Sequence, residues 1–483
     1  MNTHTLFANL HLGGAWIIVA TLAIFYSTKR KSYERIAKSL TLLNVILFSA
    51  GATFAMTGLF FFIALYPEFI SNALHIYWWP MFFEAITFGL EILFLYTFWF
   101  SWGKIGKKWH LGLGFTYAAV VFVQVTLINT LAAGMLTPNN GPPIPYTSQG
   151  IFTVDFGALW NFWWNATIFR LQFHRLAAAI GATGFLIAAL AMFHYNDRKD
   201  IGSKRYWDWV ASYGMMWGLI GIIFQPILGQ LYFLQIQTAS PDAFELMMHG
   251  PRAWAMLMVV GLLSALFISA FIYFLDRRER ILSTLESGMI RKLYILFIVV
   301  AVIAAIVVVQ PAWIGGAIFS TDPAANTWML GTMDYKYFSL FALAFIGALV
   351  VMLDAIFIGD LKLSEWGNLP KAAQYAGIAA GILSIWIIPV MGYVREGGRS
   401  PWLLYQIIPV PGSMDFQTPI YVPWIVLTWI ALTTLTLAIF WFTFRVIAHQ
   451  PGEKEEIGET TDTIQPTTPL DYENQRNRED YEQ

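Results

Sequence analysis

The sequence contains no cysteine and very little charge. The absence of Cys among 483 residues excludes iron–sulfur clusters, covalently attached haem, thiolate copper sites and disulfides within this chain. Only 12% of the residues are charged, 57% are hydrophobic, and the formal net charge is −1. This near-zero charge gives no indication of a nucleic-acid partner. The composition predicts a multi-pass protein of the cell membrane rather than a soluble domain.

Long apolar runs predict an all-α, polytopic membrane helix bundle with about eleven transmembrane helices. The runs cover approximately residues 8–27, 41–66, 77–101, 111–135, 172–194, 208–234, 253–275, 291–310, 337–359, 372–394 and 421–446. Basic residues concentrate on alternate connections, so the positive-inside rule predicts the N-terminus outside and the C-terminus inside. Residues 1–449 form the predicted bundle. Residues 450–483 are polar, acidic and rich in Pro and Thr, and they predict a disordered cytoplasmic tail.

The third apolar run contains two glutamates, Glu84 and Glu91. A carboxylate at membrane depth costs about 3 kcal/mol on insertion scales, so it usually has a function or a partner. Seven residues make about two helical turns, which places both carboxyl groups on one face, roughly 10 Å apart along the axis. Such a pair suits a proton relay toward a buried cofactor. The alternative is a polar seam packed against another helix.

Four further polar side chains are predicted at the same outer third of the membrane as Glu84. His11 and His174 lie near the outer ends of their spans, and Glu396 and Arg399 lie just beyond the outer end of the tenth span. Imidazole is a common axial ligand of haem iron. A carboxylate serves a high-spin iron or accepts protons, and an arginine binds haem propionates bidentately.

His110 lies at the inner end of the fourth span, beside Lys107 and Lys108. It either opens a proton path that rises to Glu91 or is a solvated interfacial histidine. On the opposite side, residues 137–170 predict a long outer loop that either docks a partner or rests on the headgroups as a lid. Its aromatic patch consists of Trp160, Phe162, Trp163 and Trp164.

The segment Glu396-Gly-Gly-Arg-Ser-Pro-Trp402 resembles the Gly-Arg-x-Pro-Trp signature of subunit I of cytochrome bd-type oxidases. Residues 88–107 resemble the third helix of that family and its exit, and residues 165–174 resemble the approach to the low-spin haem histidine. The resemblance covers most of residues 1–250 and 372–446.

The resemblance implies an enzyme, a bd-type oxygen reductase. Electrons from an outer-face donor would pass through a low-spin haem b to paired high-spin haems, of the b type or including haem d, which reduce oxygen to water. Its implied partners are a second membrane subunit, small accessory subunits, and a quinol or an outer redox protein as electron donor. The implied roles are His174 for the low-spin haem, His11 and Glu396 for the high-spin haems, Arg399 and Trp402 for cofactor binding, Glu91 for protons from the cytoplasm, and Glu84 for the oxygen site.

Two features depart from the family pattern. The outer quinol-binding loop is reduced to about residues 235–251, where Phe244 or Glu245 and His249 replace the expected Lys and Glu. Two additional spans precede the tenth helix, which leaves the methionine ligand of the low-spin haem open. Met258 or Met256 fits the ligand depth, whereas Met352 lies roughly 13 Å too deep.

Two other functions remain as alternatives. One is a related haem subunit that exchanges electrons with quinone or an outer cytochrome without reducing oxygen, which the short loop favours. The other is an ion-coupled transporter that uses Glu84 and Glu91, although the sequence has no inverted repeat and no indication of broken helices. A haem–copper oxidase is excluded, because none of the 8 His is adjacent to another.

Overall fold

The computed structural model is almost entirely helical over the residues that it describes. These are residues 2–65, 67–138, 160, 163–248, 253–282, 288–309, 334–358, 367–409 and 418–448. The predicted tail, His249, Phe162 and most of the long outer loop therefore lie outside the described residues.

The helices follow one another with short connections in the first half of the chain. They are α1 (Asn2–Thr28), α2 (Lys31–Leu65), α3 (Pro67–Phe100), α4 (Lys107–Leu136), α5 (Ala166–Asp197), α6 (Ile201–Ile223), α7 (Gln225–Ala239) and α8 (Pro241–Met248).

The second half adds five helices and one hairpin within the described residues. They are α9 (Trp254–Leu282), α10 (Gly288–Val309), α11 (Asp334–Ile358), α12 (Lys371–Arg399), the antiparallel strands β1 (Trp402–Leu404) and β2 (Ile408–Pro409), and α13 (Thr418–Ala448).

The prediction of an all-α membrane bundle is confirmed. Ten helical segments are long and apolar enough to cross a membrane, and the apolar part of α13 adds a shorter one, Pro423–Ile439. Each of the eleven predicted spans coincides with one of these segments. The orientation of the bundle, with the N-terminus outside, stays a prediction.

Helix α5 is the most deeply buried span and forms the centre of the bundle. It packs against α1, α6 and α12. Glycines allow the closest approach, to α6, because a Cβ on Gly184 would lie 2.3 Å from the backbone nitrogen of Gly218. Small residues at such crossings let two membrane helices pack through their backbones. Helices α2 and α3, by contrast, present mostly exposed apolar side chains.

The sixth predicted span, 208–234, is two consecutive helices. Helix α6 ends at Ile223 and α7 begins at Gln225, next to Pro226. Proline lacks the N–H that a continuous helix needs, so a break at this point has a direct cause. The two helices together run from residue 201 to 239 and form one apolar segment. Hydropathy alone therefore did not indicate the interruption at Phe224. The predicted quinol stretch is mostly helical as well, because α8 occupies residues 241–248.

Arg277 follows the seventh predicted span, where the charge pattern alone would place it among the basic residues of an inner connection, but the structure buries it. Its Nη1 lies 3.6 Å from Oδ2 of Asp354, and both side chains are about 2% exposed. The pair joins α9 to α11. A buried charge stays in the protein interior when it has an opposite charge beside it, so Arg277 ties two helices together and does not mark the membrane surface.

Candidate functional site

A cluster of four buried polar side chains lies where α1, α2, α3 and α4 meet; we call it the His11 cluster. Nε2 of His11 lies 2.6 Å from Oε1 of Glu91 and 3.0 Å from the hydroxyl of Tyr117. Asn44 completes the cluster, since its Nδ2 donates to the Tyr117 hydroxyl over 3.0 Å and to the carbonyl of His11 over 3.1 Å. His11 is 5% exposed and Glu91 2% exposed, so these groups interact without bulk water.

The hydrogen bonds assign different roles to the two nitrogens of His11. Nδ1 lies 3.2 Å from the backbone carbonyl of Asn44, which only accepts, so Nδ1 carries a proton. This contact leaves Nε2 as the nitrogen that binds an acceptor, a donor or a metal. Gly14 makes the arrangement possible, because a Cβ at this position would lie 2.2 Å from Oδ1 of Asn44.

Glu84 lies two turns before Glu91 on α3 and also reaches α4. Its Oε1 accepts a hydrogen bond from Nε2 of Gln124 over 3.2 Å. Its side chain is half-buried, whereas Glu91 is fully buried. The two carboxylates therefore have different neighbours: Glu84 contacts an amide, and Glu91 contacts an imidazole.

His174 lies on the opposite side of α5 from the His11 cluster and faces α7. Its ring lies 6.2 Å from that of Tyr232, and Gln225 donates to its backbone carbonyl over 3.0 Å. A Cβ on Gly229 would lie 3.3 Å from Cε1 of the imidazole. Nδ1 of His174 is buried and has no hydrogen-bond partner among the described residues.

The sequence predicted Glu396 and Arg399 just beyond the end of the tenth span. In the structure both residues belong to α12. Arg399 is the last residue of the helix and forms an ion pair with Glu396 one turn earlier. Oε1 of Glu396 also pairs with Nη2 of Arg395 over 3.3 Å. The Glu396 side chain remains 42% exposed, so both carboxylate oxygens are paired but accessible.

Arg399 also fixes the signature segment that follows it. Its Nη1 donates to the carbonyls of Trp402 and Leu403 over 2.8 and 3.1 Å. Both acceptors belong to β1, which therefore folds back over the end of α12. Trp402 makes this contact through its backbone carbonyl. Its indole packs against the main hydrophobic core.

The two methionine candidates differ in burial. Met256 is buried and Met258 is half-buried, and both pack in the main core. Helix α9 packs against α12, and α12 against α5. A third methionine, Met247 on α8, lies against Gly398, since a Cβ there would be 2.7 Å from its sulfur.

His110 is buried and does not face solvent. Its Nδ1 lies 2.9 Å from the hydroxyl of Tyr26, and its ring stacks on Phe98 at 4.7 Å. Phe98 also stacks on the ring of Tyr117, at 6.3 Å. Buried side chains thus lie in contact from His110 to the His11 cluster, but the apolar ring of Phe98 separates the polar groups at the two ends.

The aromatic patch of the outer loop is divided between interior and surface. Trp163 is buried and donates from Nε1 to the carbonyl of Ile76 over 3.2 Å. Trp164 lies between Trp160 and Phe169, with ring separations of 5.6 and 6.2 Å. Trp160 packs against Trp164 but is about half exposed, so it presents more surface to a partner than the buried Trp163 does.

The structure brings together His11 and Glu91, and separately Glu396 and Arg399, whereas His174 lies in a pocket of its own. The sequence reasoning did not include Asn44, Gln124, Tyr117 or Arg175. A usable signal existed for three of them, because Asn, Gln and Arg within long apolar helices are costly unless they have partners. Tyr117 gave no such signal, because tyrosine is common in membrane helices.

The side chains present fit haem better than a bare metal ion. Among the described residues, no three His, Asp or Glu side chains converge closely enough to hold a metal. Haem needs only one or two axial side chains, because the macrocycle provides the other ligands. His174, with its unpartnered nitrogen, provides one such ligand.

Comparison with known proteins agrees with this fit. The model of the family described as cytochrome bd terminal oxidase subunit I matches residues 1–451. Among solved structures, the chain is similar to that described as the structure of bd oxidase from Geobacillus thermodenitrificans, with a TM-score of 0.53 and 16% sequence identity. The alignment covers 93% of this chain and 96% of that chain. At this identity the structural similarity shows the fold, and the family match shows the family.

Proposed function

Because the chain belongs to the family of cytochrome bd terminal oxidase subunit I, we propose that it is the haem-carrying subunit of a bd-type oxidase that reduces oxygen to water. The observation that carries the proposal is the buried imidazole nitrogen of His174, which has no hydrogen-bond partner among the described residues, within a bundle that matches this family over residues 1–451. Bound haems would supply the electron transfer and the oxygen chemistry. The chain itself supplies axial ligands, counter-charges and protons.

His174 is the proposed axial ligand of the low-spin haem b. The glycine at position 229 supports this role, because it leaves room beside the imidazole that any larger residue would fill. Met258 is the proposed second ligand, with Met256 as the alternative. A methionine sulfur ligand raises the reduction potential of a haem. A raised potential suits a haem that passes electrons onward to oxygen.

His11 and Glu396 are the proposed ligands of the high-spin haems, of type b or d. Nε2 of His11 is the nitrogen available to iron, and at present it contacts Glu91 and Tyr117. Ligation at Nε2 therefore requires both neighbours to turn away. Glu396 likewise must release one of its two arginine partners before that oxygen can bind iron.

Glu91 is the proposed final proton carrier from the cytoplasm. Its carboxyl group is buried against the imidazole of His11, so it holds a proton away from bulk water, and once His11 binds iron the carrier is Glu91 itself. His110 and Tyr26 would receive protons at the inner end. Because the ring of Phe98 separates His110 from Tyr117 and carries no proton, transfer requires this ring to move. Glu84 is proposed for the oxygen site.

The partners are proposed from the exposed surfaces. A second membrane subunit would cover the apolar faces of α2 and α3, which are mostly exposed in the single chain. Small accessory subunits would add to this assembly. The donor is a quinol or an outer redox protein, and exposed Trp160 supports docking of the latter near the outer loop.

A related haem subunit without oxygen reduction is the second candidate. One observation favours it: the stretch that replaces the long quinol loop is mostly the short helix α8, with Glu245 exposed and Phe244 buried. In that case the haems would exchange electrons with a quinone or an outer cytochrome only.

Optical spectroscopy and oxygen consumption of the purified complex distinguish these possibilities. Dithionite-reduced minus oxidised spectra, with pyridine haemochrome analysis, should show low-spin and high-spin haems, and an oxygen electrode should record turnover with an artificial donor. Haems without oxygen consumption would favour the second candidate. A complex without haem would contradict both and would restore the transporter hypothesis.

A further inference from the structure

Arg175 follows the proposed haem ligand His174 directly, but it faces other helices. Successive helical residues are about 100° apart around the axis, so His174 meets α7 whereas Arg175 meets α1 and α4. Its Nε donates to Oδ1 of Asn9 over 2.9 Å, and its Nη1 donates to Oδ1 of Asn129 over 2.8 Å. Arg175 therefore lies between three helices, directly after His174 in the chain and bonded to Asn9, which is two residues before His11.

The guanidinium of Arg175 has no carboxylate partner among the described residues. Both of its acceptors are neutral amides, and no ion pair within 4.0 Å involves it in the part of the chain that the structure describes. A cation at membrane depth is costly by about 3 kcal/mol on insertion scales unless an anion accompanies it. Within the described residues, the contacts leave that charge uncompensated.

A second cation near Arg175 increases the positive charge. Arg395 lies within electrostatic range of Arg175, and it shares the carboxylate of Glu396 with Arg399. That carboxylate is therefore already paired, and no carboxylate among the described residues lies within ion-pair distance of Arg175.

The amides around Arg175 are fixed by their own hydrogen bonds. Nδ2 of Asn9 donates to the carbonyl of Thr5 over 2.7 Å. Asn129 donates to Gln172, whose Nε2 in turn donates to the carbonyl of Phe122 over 3.1 Å. The network holds the guanidinium in one orientation and uses two of its five N–H donors, so the remaining donors can bind a ligand without reorganisation.

We propose that Arg175 binds the carboxylate of a haem propionate within this bundle. The inference rests on the proposed function, since it requires haem. A guanidinium matches a carboxylate through two parallel hydrogen bonds, and haem propionates are the anions that the proposed cofactors bring to this depth. Arg175 follows His174 in the chain and bonds to Asn9 on the helix that carries His11, so the propionate belongs either to the haem of His174 or to that of His11.

The proposal predicts the redox properties of one haem. A positive charge beside a propionate stabilises the reduced haem, because reduction lowers the net charge of the iron centre. Arg175→Gln should therefore lower the midpoint potential of the haem concerned and make that potential more dependent on pH, since the released propionate takes up a proton on reduction. Arg175→Lys retains the charge but not the paired hydrogen bonds, so it should give a smaller shift.

Potentiometric titration of the purified complex, monitored at separate low-spin and high-spin bands over a range of pH, tests the proposal. A shift confined to the low-spin band assigns the propionate to the haem of His174, and one confined to the high-spin bands assigns it to the haem of His11. Arg198→Gln is the control, because Arg198 lies at the opposite end of the same helix, roughly 35 Å along the axis from Arg175; its potentials should equal those of the native protein.

Unchanged potentials and pH dependence in Arg175→Gln, with haem content retained, would overturn the proposal and leave Arg175 as a tie between helices. If Arg175→Gln does not assemble, Arg175→Met, which also removes the charge, is titrated in its place, and native potentials in that variant would also overturn the proposal. Failure of the proposed function is distinct, because it would appear as a native complex without haem.

Discussion

Oε1 of Glu91 on α3 lies 2.6 Å from Nε2 of His11 on α1. The two residues are 80 positions apart in the chain and both are buried, so only the packing of α1, α3 and α4 brings them together. The contact joins a proposed proton carrier directly to a proposed haem ligand. If His11 binds iron through Nε2, its contact with Glu91 must open, because the same nitrogen serves both.

Substitution of Glu91 by glutamine should slow turnover and leave haem content nearly unchanged. Glutamine retains the shape and one hydrogen bond but cannot release a proton. Loss of a positioned proton carrier reduces the rate by about 10²-fold or more. Oxygen consumption per haem measures the effect. The control is Glu34→Gln, which removes a carboxylate that pairs with Lys31 near the surface. Loss of haem in Glu91→Gln without a separate kinetic defect would identify Glu91 as structural.

The His174→Ala variant should lose the low-spin haem while the bundle remains assembled. The imidazole has no hydrogen-bond partner at Nδ1 among the described residues, so its removal breaks no such bond there. The reduced-minus-oxidised spectrum should lack the low-spin α band. His194→Gln, near the other end of the same helix and stacked on Trp207, should retain it. An unchanged α band in His174→Ala would rule out the assignment.

Replacement of Met258 by leucine should convert the low-spin haem to a high-spin form or shift its α band. Leucine has a similar volume and little effect on packing, but it provides no sulfur ligand. Met256→Leu is the matched comparison two residues away. If the spectral change follows Met256 instead, the ligand register on α9 is different. If neither variant changes the spectrum, the second ligand does not come from this pair.

Gly184→Ala should destabilise the protein by about 1–3 kcal/mol, because the added methyl group meets backbone atoms that cannot move aside. Its Cβ would lie 2.3 Å from the nitrogen of Gly218, at the junction of α5 and α6. Thermal unfolding in detergent, with the haem spectrum as a reporter, measures the loss. Gly112→Ala is the control, since nothing lies within 4 Å of its Cβ. Equal stability of the two variants would contradict this account of the helix crossing.

The sequence predicts the spans well because long apolar runs have few alternatives in a membrane. It places Glu84 and Glu91 on one helix, as the structure does, but a position along a helix does not determine which neighbour a side chain meets. The contact between His11 and Glu91 depends on the rotation of two helices and could not be predicted. The same limit applies to Arg277, whose partner Asp354 lies on a helix far along the chain. The interruption at Phe224 could not be predicted from hydropathy, because both flanking segments are apolar.

The electron donor is the subject of the last prediction. The stretch that replaces the long quinol loop forms the end of α7 and the short helix α8, and it lacks the Lys and Glu expected from the family. We therefore expect slow or absent oxidation of ubiquinol by this chain alone. A menaquinol-like donor bound elsewhere, or a redox protein docked near Trp160, would reduce the haems instead.

Stopped-flow reduction of the haems by quinol analogues measures the rate of quinol oxidation directly. Trp160→Ala tests the surface proposed for docking of a redox protein. Because Glu245 is exposed on α8, Glu245→Gln should leave the rate unchanged. Fast, saturable reduction by ubiquinol that depends on Glu245 or His249 would reject the prediction and identify α8 as a compact quinol site.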